Sequence, residues 1–223
     1  MAVRAERVSA TREQILTAAE RLFAEHGVFA VSNRQVSEAA GQGNNAAVGY
    51  HFGTKPDLVR AIVRKHAEPI ERVRRRMVAE IGGSTDVREW VTCLVRPVTD
   101  HLATLSSPTW FARFGAQVMT DPALREIMIE ESLSSPSLQA ILDGLNRCLS
   151  TLPAEVRAER YDMARQLMVH ICAERERALA EGTPTPRSTW DGAATGLIDA
   201  IVGLWLAPAS ESAGARVDRN PSA

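Results

Sequence analysis

Helix signals recur along almost the whole chain, and they limit the fold more than any other feature. Capping boxes, in which a Ser or Thr precedes a Gln by three residues, occur at Thr11–Gln14 and Ser32–Gln35. The first is followed by Ile15, Ala19 and Phe23, which lie on one face of a helix. No segment shows sustained alternation of apolar and polar residues bounded by hairpin turns. The sequence therefore predicts an all-α fold.

Composition excludes several classes of protein. Of the 223 residues, 45% are hydrophobic and 24% are charged, which is ordinary for a globular protein and rules out a wholly disordered chain. The first ten residues carry Arg4, Glu6 and Arg7, so they do not form a signal peptide, and the apolar stretch 193–209 is too short to span a bilayer. We expect a soluble, cytoplasmic protein without a disulfide scaffold, since it has three scattered cysteines: Cys93, Cys148 and Cys172.

A Gly-containing turn, Gly41-Gln42-Gly43, separates two short predicted helices near the N-terminus. Two short helices joined in this way form a helix-turn-helix, whose second helix enters the DNA major groove. We expect Asn44 to cap that second helix, and Val48 and Phe52 to hold it on the core. Its outer face then consists of small and hydrogen-bonding residues: Asn45, Ala46, Gly49 and Tyr50.

The alternative interpretation of this segment is a helical hairpin with a loosely packed polar face. The charge distribution gives modest support to DNA binding. Residues 1–67 contain nine Lys and Arg against six Asp and Glu, while the remainder is acidic. Arg4 and Arg7 lie on an unpatterned arm that we expect to follow a groove. The arginine run 72–76 is instead interpreted as a solvated helix face, because Glu68 and Glu71 are spaced to pair with it.

The N-terminal segments resemble the DNA-binding domain of TetR-family transcriptional regulators. The resemblance is carried by three segments: TREQILTAAERLFAEHG (11–27), SNRQVSEAAG (32–41) and AAVGYHFGTKPDL (46–58). It implies a helix-turn-helix domain of three helices over residues 1–55 and a larger helical domain for ligand binding and dimerisation over residues 56–206. The small, polar residues 207–223 are predicted to be disordered.

The resemblance also implies a DNA-contact surface. Lys55 and the Tyr50–His51 pair would contact phosphates, Arg34 would reach a phosphate or a base edge, and the outer residues of the third helix would read the sequence. Tyr50 as a cap over the core, a structural His51 and a solvated Lys55 remain open as alternatives. The complete predicted set is Arg34, Asn44, Asn45, Ala46, Gly49, Tyr50, His51, Thr54 and Lys55.

Further helices are predicted near 86–105, 108–120, 122–134 and 136–151, with Pro69 interrupting the helix before them. In the family this part forms a cavity for an inducer, and aromatic residues and Met suit an adaptable apolar pocket. An ordinary filled core is the alternative for each residue. The predicted ligand-binding set is Trp90, Leu94, His101, Trp110, Phe111, Phe114, Met119 and Met128.

The last two predicted helices, near 153–181 and 188–206, indicate an interface between subunits. The final helix is apolar on several faces and therefore must be buried, and the family dimerises through a four-helix bundle. A two-fold dimer would read a palindromic operator. The predicted interface set is Leu167, Ile171, Trp190, Ala194, Leu197, Ile198, Ile201 and Trp205.

Nothing in the sequence favours catalysis, a cofactor or a metal. No nucleophile elbow, phosphate-binding loop or zincin motif occurs. His170, Cys172 and Glu174 point to different sides of a helix, and His26, His66 and His101 show no ligand spacing. We predict a repressor that binds double-stranded DNA as a homodimer and is released by a small hydrophobic ligand. The alternative is a helical small-molecule binding protein, or an enzyme, with a vestigial helix-turn-helix.

Overall fold

The computed structural model describes residues 2–44, 46–105 and 107–209. Within these ranges the chain forms ten helices and no strand, which confirms the all-α prediction. Among the same residues, no helix is both long and apolar enough to cross a bilayer. The helices are α1 (Ala2–His26), α2 (Asn33–Ala39), α3 (Ala47–Phe52), α4 (Lys55–Ile81), α5 (Val87–Thr104), α6 (Phe111–Thr120), α7 (Pro122–Leu133), α8 (Pro136–Cys148), α9 (Ala154–Glu181) and α10 (Trp190–Leu206).

Local capping starts most of these helices where the sequence predicts. The capping box of Ser32 and Gln35 opens α2, and Thr54 caps α4. The predicted box at Thr11 is wrong, because α1 already begins at Ala2 and Thr11 lies inside it. Pro69 does not interrupt α4, which runs unbroken to Ile81. The predicted domain boundary at residues 55 and 56 therefore falls in the first turn of a continuous helix.

The first of two hydrophobic cores holds the helix-turn-helix together. Its buried side chains come from α1 to α4, but also from α6 and α7, which contribute Phe114, Val118, Leu124 and Ile127. Phe23 of α1 and Phe114 of α6 are both fully buried, and their rings stack with centroids 6.4 Å apart. The helix-turn-helix end of the molecule thus shares its core with the body.

The second core lies among α5, α8, α9 and α10. Trp90 of α5 and Trp205 of α10 are its largest members, with 2% and 1% of their surfaces exposed. Gly144 of α8 lies so close to the Trp90 ring that an added Cβ would come within 2.4 Å of it. This core is therefore tightly filled.

The arginine run on α4 divides into two groups. Arg72 and Arg75 lie on the surface and pair with Glu68 and Glu71 at 3.2 and 3.7 Å, which confirms the predicted ion pairs. Arg74 is 8% exposed and so does not belong to a solvated face, contrary to the prediction. Burial lowers the pKa of its guanidinium from the ordinary value.

Candidate nucleic-acid interface

The connection between α2 and α3 is a tight turn fixed by its backbone. Gly41 has a φ of +69°, a conformation that favours glycine. The Gln42 amide donates to the Ser37 carbonyl at 2.9 Å, and its side chain bonds Gln14 of α1 at 3.1 Å. The Asn44 side chain accepts from the Ala46 amide at 2.9 Å. Asn44 therefore orders the turn before α3, but it is not the predicted cap, because the N-cap position is Ala46 and no side chain caps the helix. Asn45 lies outside the described residues.

Helix α3 has one buried and one open face. Val48 is fully buried, and Phe52 packs against the first core. On the opposite face Ala46 and Gly49 are exposed, and Tyr50 exposes 81% of its surface. A helix that is anchored on one side and presents small residues and a phenol on the other fits the dimensions of a major groove.

Arg12 of α1 fixes the C-terminal end of α3. Its guanidinium donates to the His51 carbonyl and lies 4.2 Å from the centroid of the Phe52 ring. A helix of only six residues is not stable on its own, so this contact at the last turn helps to stabilise α3. The His51 ring is half-buried and meets the Tyr50 ring edge-on at 5.0 Å.

Thr54 has a clear structural role. Its hydroxyl accepts from the Asp57 amide at 3.3 Å and donates to the Asp57 carboxylate at 2.6 Å, which in turn accepts from the Thr54 amide. These hydrogen bonds hold the pKa of Asp57 below its ordinary value. Thr54 caps α4, so the structure gives a second interpretation to a residue predicted to contact DNA.

Lys55 is also engaged within the protein. Its ammonium group donates to the carbonyls of Val28 and Val31, at 3.0 and 2.6 Å, and so ties the turn between α1 and α2 to the start of α4. Burial lowers the pKa of this ammonium from the ordinary value. Two of its three N–H donors are used in this way. Arg34, in contrast, is exposed on α2 and pairs with Glu38 at 2.8 Å.

The residues predicted to line a ligand cavity are divided between the two cores. Trp110, Phe114 and Met128 pack in the first core, whereas Trp90 and Leu94 pack in the second. Phe111 contacts both cores, His101 bonds His66, and Met119 is half-buried. The structure therefore does not bring these eight residues together, and their aromatic rings pack against the two cores. Their part in ligand binding stays a prediction.

Most of the predicted interface residues face their own protomer. Ala194, Leu197, Ile198, Ile201 and Trp205 are each at most 5% exposed, because α10 packs against α5 and α9. They are covered within the protomer, so their part in an interface between subunits stays a prediction. Leu167 is half-buried, and Trp190 is half-buried under Arg175, whose guanidinium lies 5.0 Å from its ring. Of the predicted set, only Ile171 is markedly exposed, at 45%.

The surface around these elements carries two open grooves. One, of about 510 Å³, lies between α1, α2 and Trp110; the other, of about 290 Å³, lies between α4 and α5 over Met77 and Cys93. Within the described residues no three His, Cys, Asp or Glu side chains converge as a metal site. His170 and Glu174 are exposed on α9 while Cys172 is buried.

Comparison with known families identifies the fold and its N-terminal unit. Residues 15–62 match the family described as "Bacterial regulatory proteins, tetR family". Residues 92–203 match the "Tetracyclin repressor-like, C-terminal domain". The chain belongs to the TetR family. This confirms the resemblance inferred from the sequence, and it makes the protein a TetR-family transcriptional regulator and not an enzyme.

Two curated TetR-family relatives are both named HTH-type transcriptional repressor AcnR. The protein of Corynebacterium diphtheriae is 32% identical over 143 residues, which cover 63% of this chain and 66% of the relative. That of Corynebacterium glutamicum is 36% identical over 136 residues, or 60% of each protein. The match spans less than two thirds of the length of either relative.

Solved TetR-family structures share the architecture. A TetR family transcription regulator from Marinobacter aquaeolei VT8 has a TM-score of 0.61 at 15% identity, covering 89% of this chain and 97% of its own. AmtR from Mycobacterium smegmatis has a TM-score of 0.56 at 19% identity, with 86% of each chain covered. At these identities the likeness shows the fold alone.

Sequence reasoning missed three structural features of the site. The contacts of Arg12 and Lys55 carry no local signal, because they join residues far apart in the sequence. Arg12 bonds a carbonyl 39 positions away, and Lys55 bonds carbonyls 27 and 24 positions away. The same holds for His66 and His101, whose rings are hydrogen-bonded at 2.8 Å although no ligand spacing connects them in the sequence. Helical periodicity alone does not predict such pairs, which depend on how α1, α4 and α5 pack.

Proposed function

We propose that this TetR-family protein is a repressor that binds a palindromic DNA operator as a homodimer and is released by a small hydrophobic ligand. The observation that carries the DNA-binding step is the two-sided α3. Val48 is fully buried beneath it, while Tyr50 on the other face is 81% exposed. A solvent-facing tyrosine whose ring contact is with the neighbouring His51 contributes little to the core, but it can bind a phosphate or a base edge.

The contacts proposed for DNA follow from the exposed surface. Ala46 and Gly49 allow close approach to base edges, and Tyr50 supplies a hydroxyl. Arg34 is free to exchange its exposed partner Glu38 for a phosphate, because a surface ion pair contributes little. Lys55 supports DNA binding by holding the α1–α2 turn in place, because its ammonium group donates to the Val28 and Val31 carbonyls.

Dimerisation is proposed through the exposed side of α9 and α10. Met163, Ile171 and Leu179 follow one another along α9, each 42% to 45% exposed. On α10, Gly203 and Leu206 are exposed outside the buried stripe, and Leu206 is 62% exposed. Two copies of these exposed apolar surfaces can form a four-helix bundle, and a two-fold dimer matches a palindrome.

Repression and effector release are proposed from the relatives and from a surface groove. The AcnR relatives are named repressors, and a regulator of bacterial DNA acts in the cytoplasm. For the effector, the groove of about 290 Å³ between α4 and α5 offers an apolar floor of Met77, Ile81 and Cys93. A ligand there would bias the position of α4, whose first turn adjoins α3, and a coupling of about 1–3 kcal/mol suffices for a useful switch.

A DNA-binding experiment separates a repressor from a helical sequestering protein with a vestigial helix-turn-helix. Duplexes are enriched with the full chain from a randomised pool, and binding is followed by gel shift at two salt concentrations. We expect a specific complex of two protomers per duplex that weakens as salt rises. The absence of a specific complex at both salt concentrations would contradict the proposal and favour sequestration.

Variants of the two tyrosines sharpen this experiment. Tyr50→Ala is expected to weaken the specific complex by about tenfold or more, since a good base-edge or phosphate contact contributes about 1–3 kcal/mol. Tyr161→Phe is the matched control: it removes the other phenol hydroxyl of the chain, which donates to Leu142 on the far side of the body. Equal binding by Tyr50→Ala and wild type would show that the open face of α3 does not contact DNA.

A further inference from the structure

A chain of three polar side chains, two of them buried and the third half-buried, crosses the joint between the DNA-binding end and the body. Glu20 of α1 and His66 of α4 are 6% and 3% exposed, and His66 Nε2 lies 2.9 Å from the Glu20 carboxylate. The other ring nitrogen of His66, Nδ1, lies 2.8 Å from Nε2 of His101 on α5. Three helices are therefore joined by two consecutive hydrogen bonds.

An aromatic ring closes this chain on one side. Phe111, the first residue of α6, stacks on the His66 ring with centroids 3.8 Å apart and meets the His101 ring edge-on at 5.9 Å. Because Phe111 packs against both hydrophobic cores, the chain lies where the two cores meet. We therefore expect that breaking these hydrogen bonds weakens the packing between the DNA-binding end and the body.

The two hydrogen bonds among Glu20, His66 and His101 limit how many protons these side chains can hold. The Glu20 carboxylate accepts, so His66 Nε2 carries a proton. The bond between His66 and His101 then needs one proton, on either of the two facing nitrogens. If both rings were imidazolium, two N–H donors would face each other at the present distance of 2.8 Å. That arrangement is repulsive, so a second added proton must separate the rings.

We propose that Glu20, His66 and His101 form a proton-sensitive latch between the DNA-binding end and the body, which opens when both imidazoles are protonated. The consequence for DNA, a weaker operator complex in mild acid, rests on the proposed function. The opening itself does not, because it is a property of the protein alone.

Several charged groups surround these three side chains. On α1 and α4, Lys65 lies 3.9 Å from the Glu20 carboxylate and pairs with Glu13 at 2.6 Å. On α6, the residue that contacts the two imidazole rings is Phe111, which is uncharged. On α5 itself, Asp100 is adjacent in sequence to His101 and within the field of Arg96 and of Asp191 of α10. Burial, followed by the charge on His66, lowers the pKa of His101 to about 4, against an ordinary value of 6.5.

The direction of the pH effect follows from these values. In the open state His101 regains its ordinary pKa, so protons bind the open state first and favour it as the pH falls below about 6.5. Between pH 7.5 and 5.5 the opening equilibrium is expected to rise by up to about tenfold, with saturation near the lower pKa of about 4.

Hydrogen exchange of the full chain at pH 7.5 and 5.5, corrected for intrinsic exchange rates, measures this opening. Wild type is expected to show up to about tenfold more opening in α1 and α4 at pH 5.5. His101→Gln keeps an amide N–H for His66 but does not titrate, so the increase should vanish. His170→Gln, which removes an exposed imidazole of α9, is the matched control and should keep it. An equal increase in His101→Gln and wild type overturns the latch.

Two further measurements keep the outcomes separate. Imidazole ¹⁵N spectra of wild type need no variant to fold: a His101 midpoint below pH 5 supports the latch, and a midpoint near 6.5 overturns it. Binding of the enriched duplex at pH 7.5 and 5.5 tests the consequence. Failure to bind any duplex at pH 7.5 refutes the proposed function, whereas the exchange and spectra still decide the latch.

Discussion

Replacing Lys55 with Met tests whether this residue acts on the protein or on DNA. The substitution keeps an apolar stem but removes the ammonium that bonds the Val28 and Val31 carbonyls at 3.0 and 2.6 Å. Each hydrogen bond from a charged donor contributes about 1.5–3 kcal/mol, and water can replace part of both because the site is half-buried. We expect the free energy of unfolding, measured by urea denaturation, to fall by about 2 kcal/mol.

DNA binding by the same variant supplies the second readout. If Lys55 acts by holding the α1–α2 turn, affinity falls for all duplexes alike while the dependence of log affinity on log salt keeps its slope. If Lys55 instead contacts a phosphate directly, the variant loses that contact and the magnitude of the slope falls by about 0.9. Lys65→Met is the matched control, since Lys65 is the only other lysine and its partner Glu13 is exposed. It should cost less than about 1 kcal/mol.

One pattern of results would refute this reasoning. If Lys55→Met unfolds at the same urea concentration as wild type and yet binds DNA with a reduced salt slope, the ammonium contacts phosphate and its carbonyl bonds are incidental. If Lys65→Met loses as much stability as Lys55→Met, the loss reflects charge rather than the anchored turn.

Three further changes probe the core, the capping and the contact between α4 and α7. Gly144→Ala should lower the free energy of unfolding by about 1–3 kcal/mol or more in urea, because its Cβ would come within 2.4 Å of the Trp90 ring. Thr54→Ala should cost about 1 kcal/mol in the same assay through loss of the α4 cap. Glu131→Gln should cost about 1 kcal/mol at neutral pH, since two partly exposed arginines of α4 hold this carboxylate and lower its pKa. That difference from wild type should shrink as the pH falls below the ordinary value of 4.5, because protonation removes the wild-type ion pair as well.

Local signals in the sequence predicted the helices well. The capping residues Ser32 and Thr54 begin helices because their hydroxyls bond amides three residues away, a contact that needs no tertiary structure. The same signal failed at Thr11, since the preceding residues from Ala2 onward are themselves good helix formers and extend α1 upstream. A capping box is therefore informative only where the residues before it resist helix formation.

Burial was harder to predict than helicity. The apolar stripe of α10 shows that the helix is covered, but not whether its own chain or a partner covers it. In the structure α5 and α9 cover it, and Trp205 meets Tyr161 of α9 edge-on at 4.5 Å. The aromatic residues of α6 are likewise predicted from their type to line a ligand cavity, and in the structure they pack against the cores. The apolar pattern of a helix indicates that it must be buried. Only the packed structure shows which helices cover it.

Helix α6 provides a packing connection between the body and the helices around α3. Phe114 is fully buried in the first core, and Phe111, one turn earlier, touches both cores and the His66 ring. The four helices of the DNA-binding end thus lack a complete core of their own. Because close-packed side chains do not deform continuously, a shift of α6 must displace Phe23 of α1 or open a void beside it. Displacement of α1 moves Arg12 and with it the end of α3, so α3 is linked to the body through packing as well as through the continuous α4.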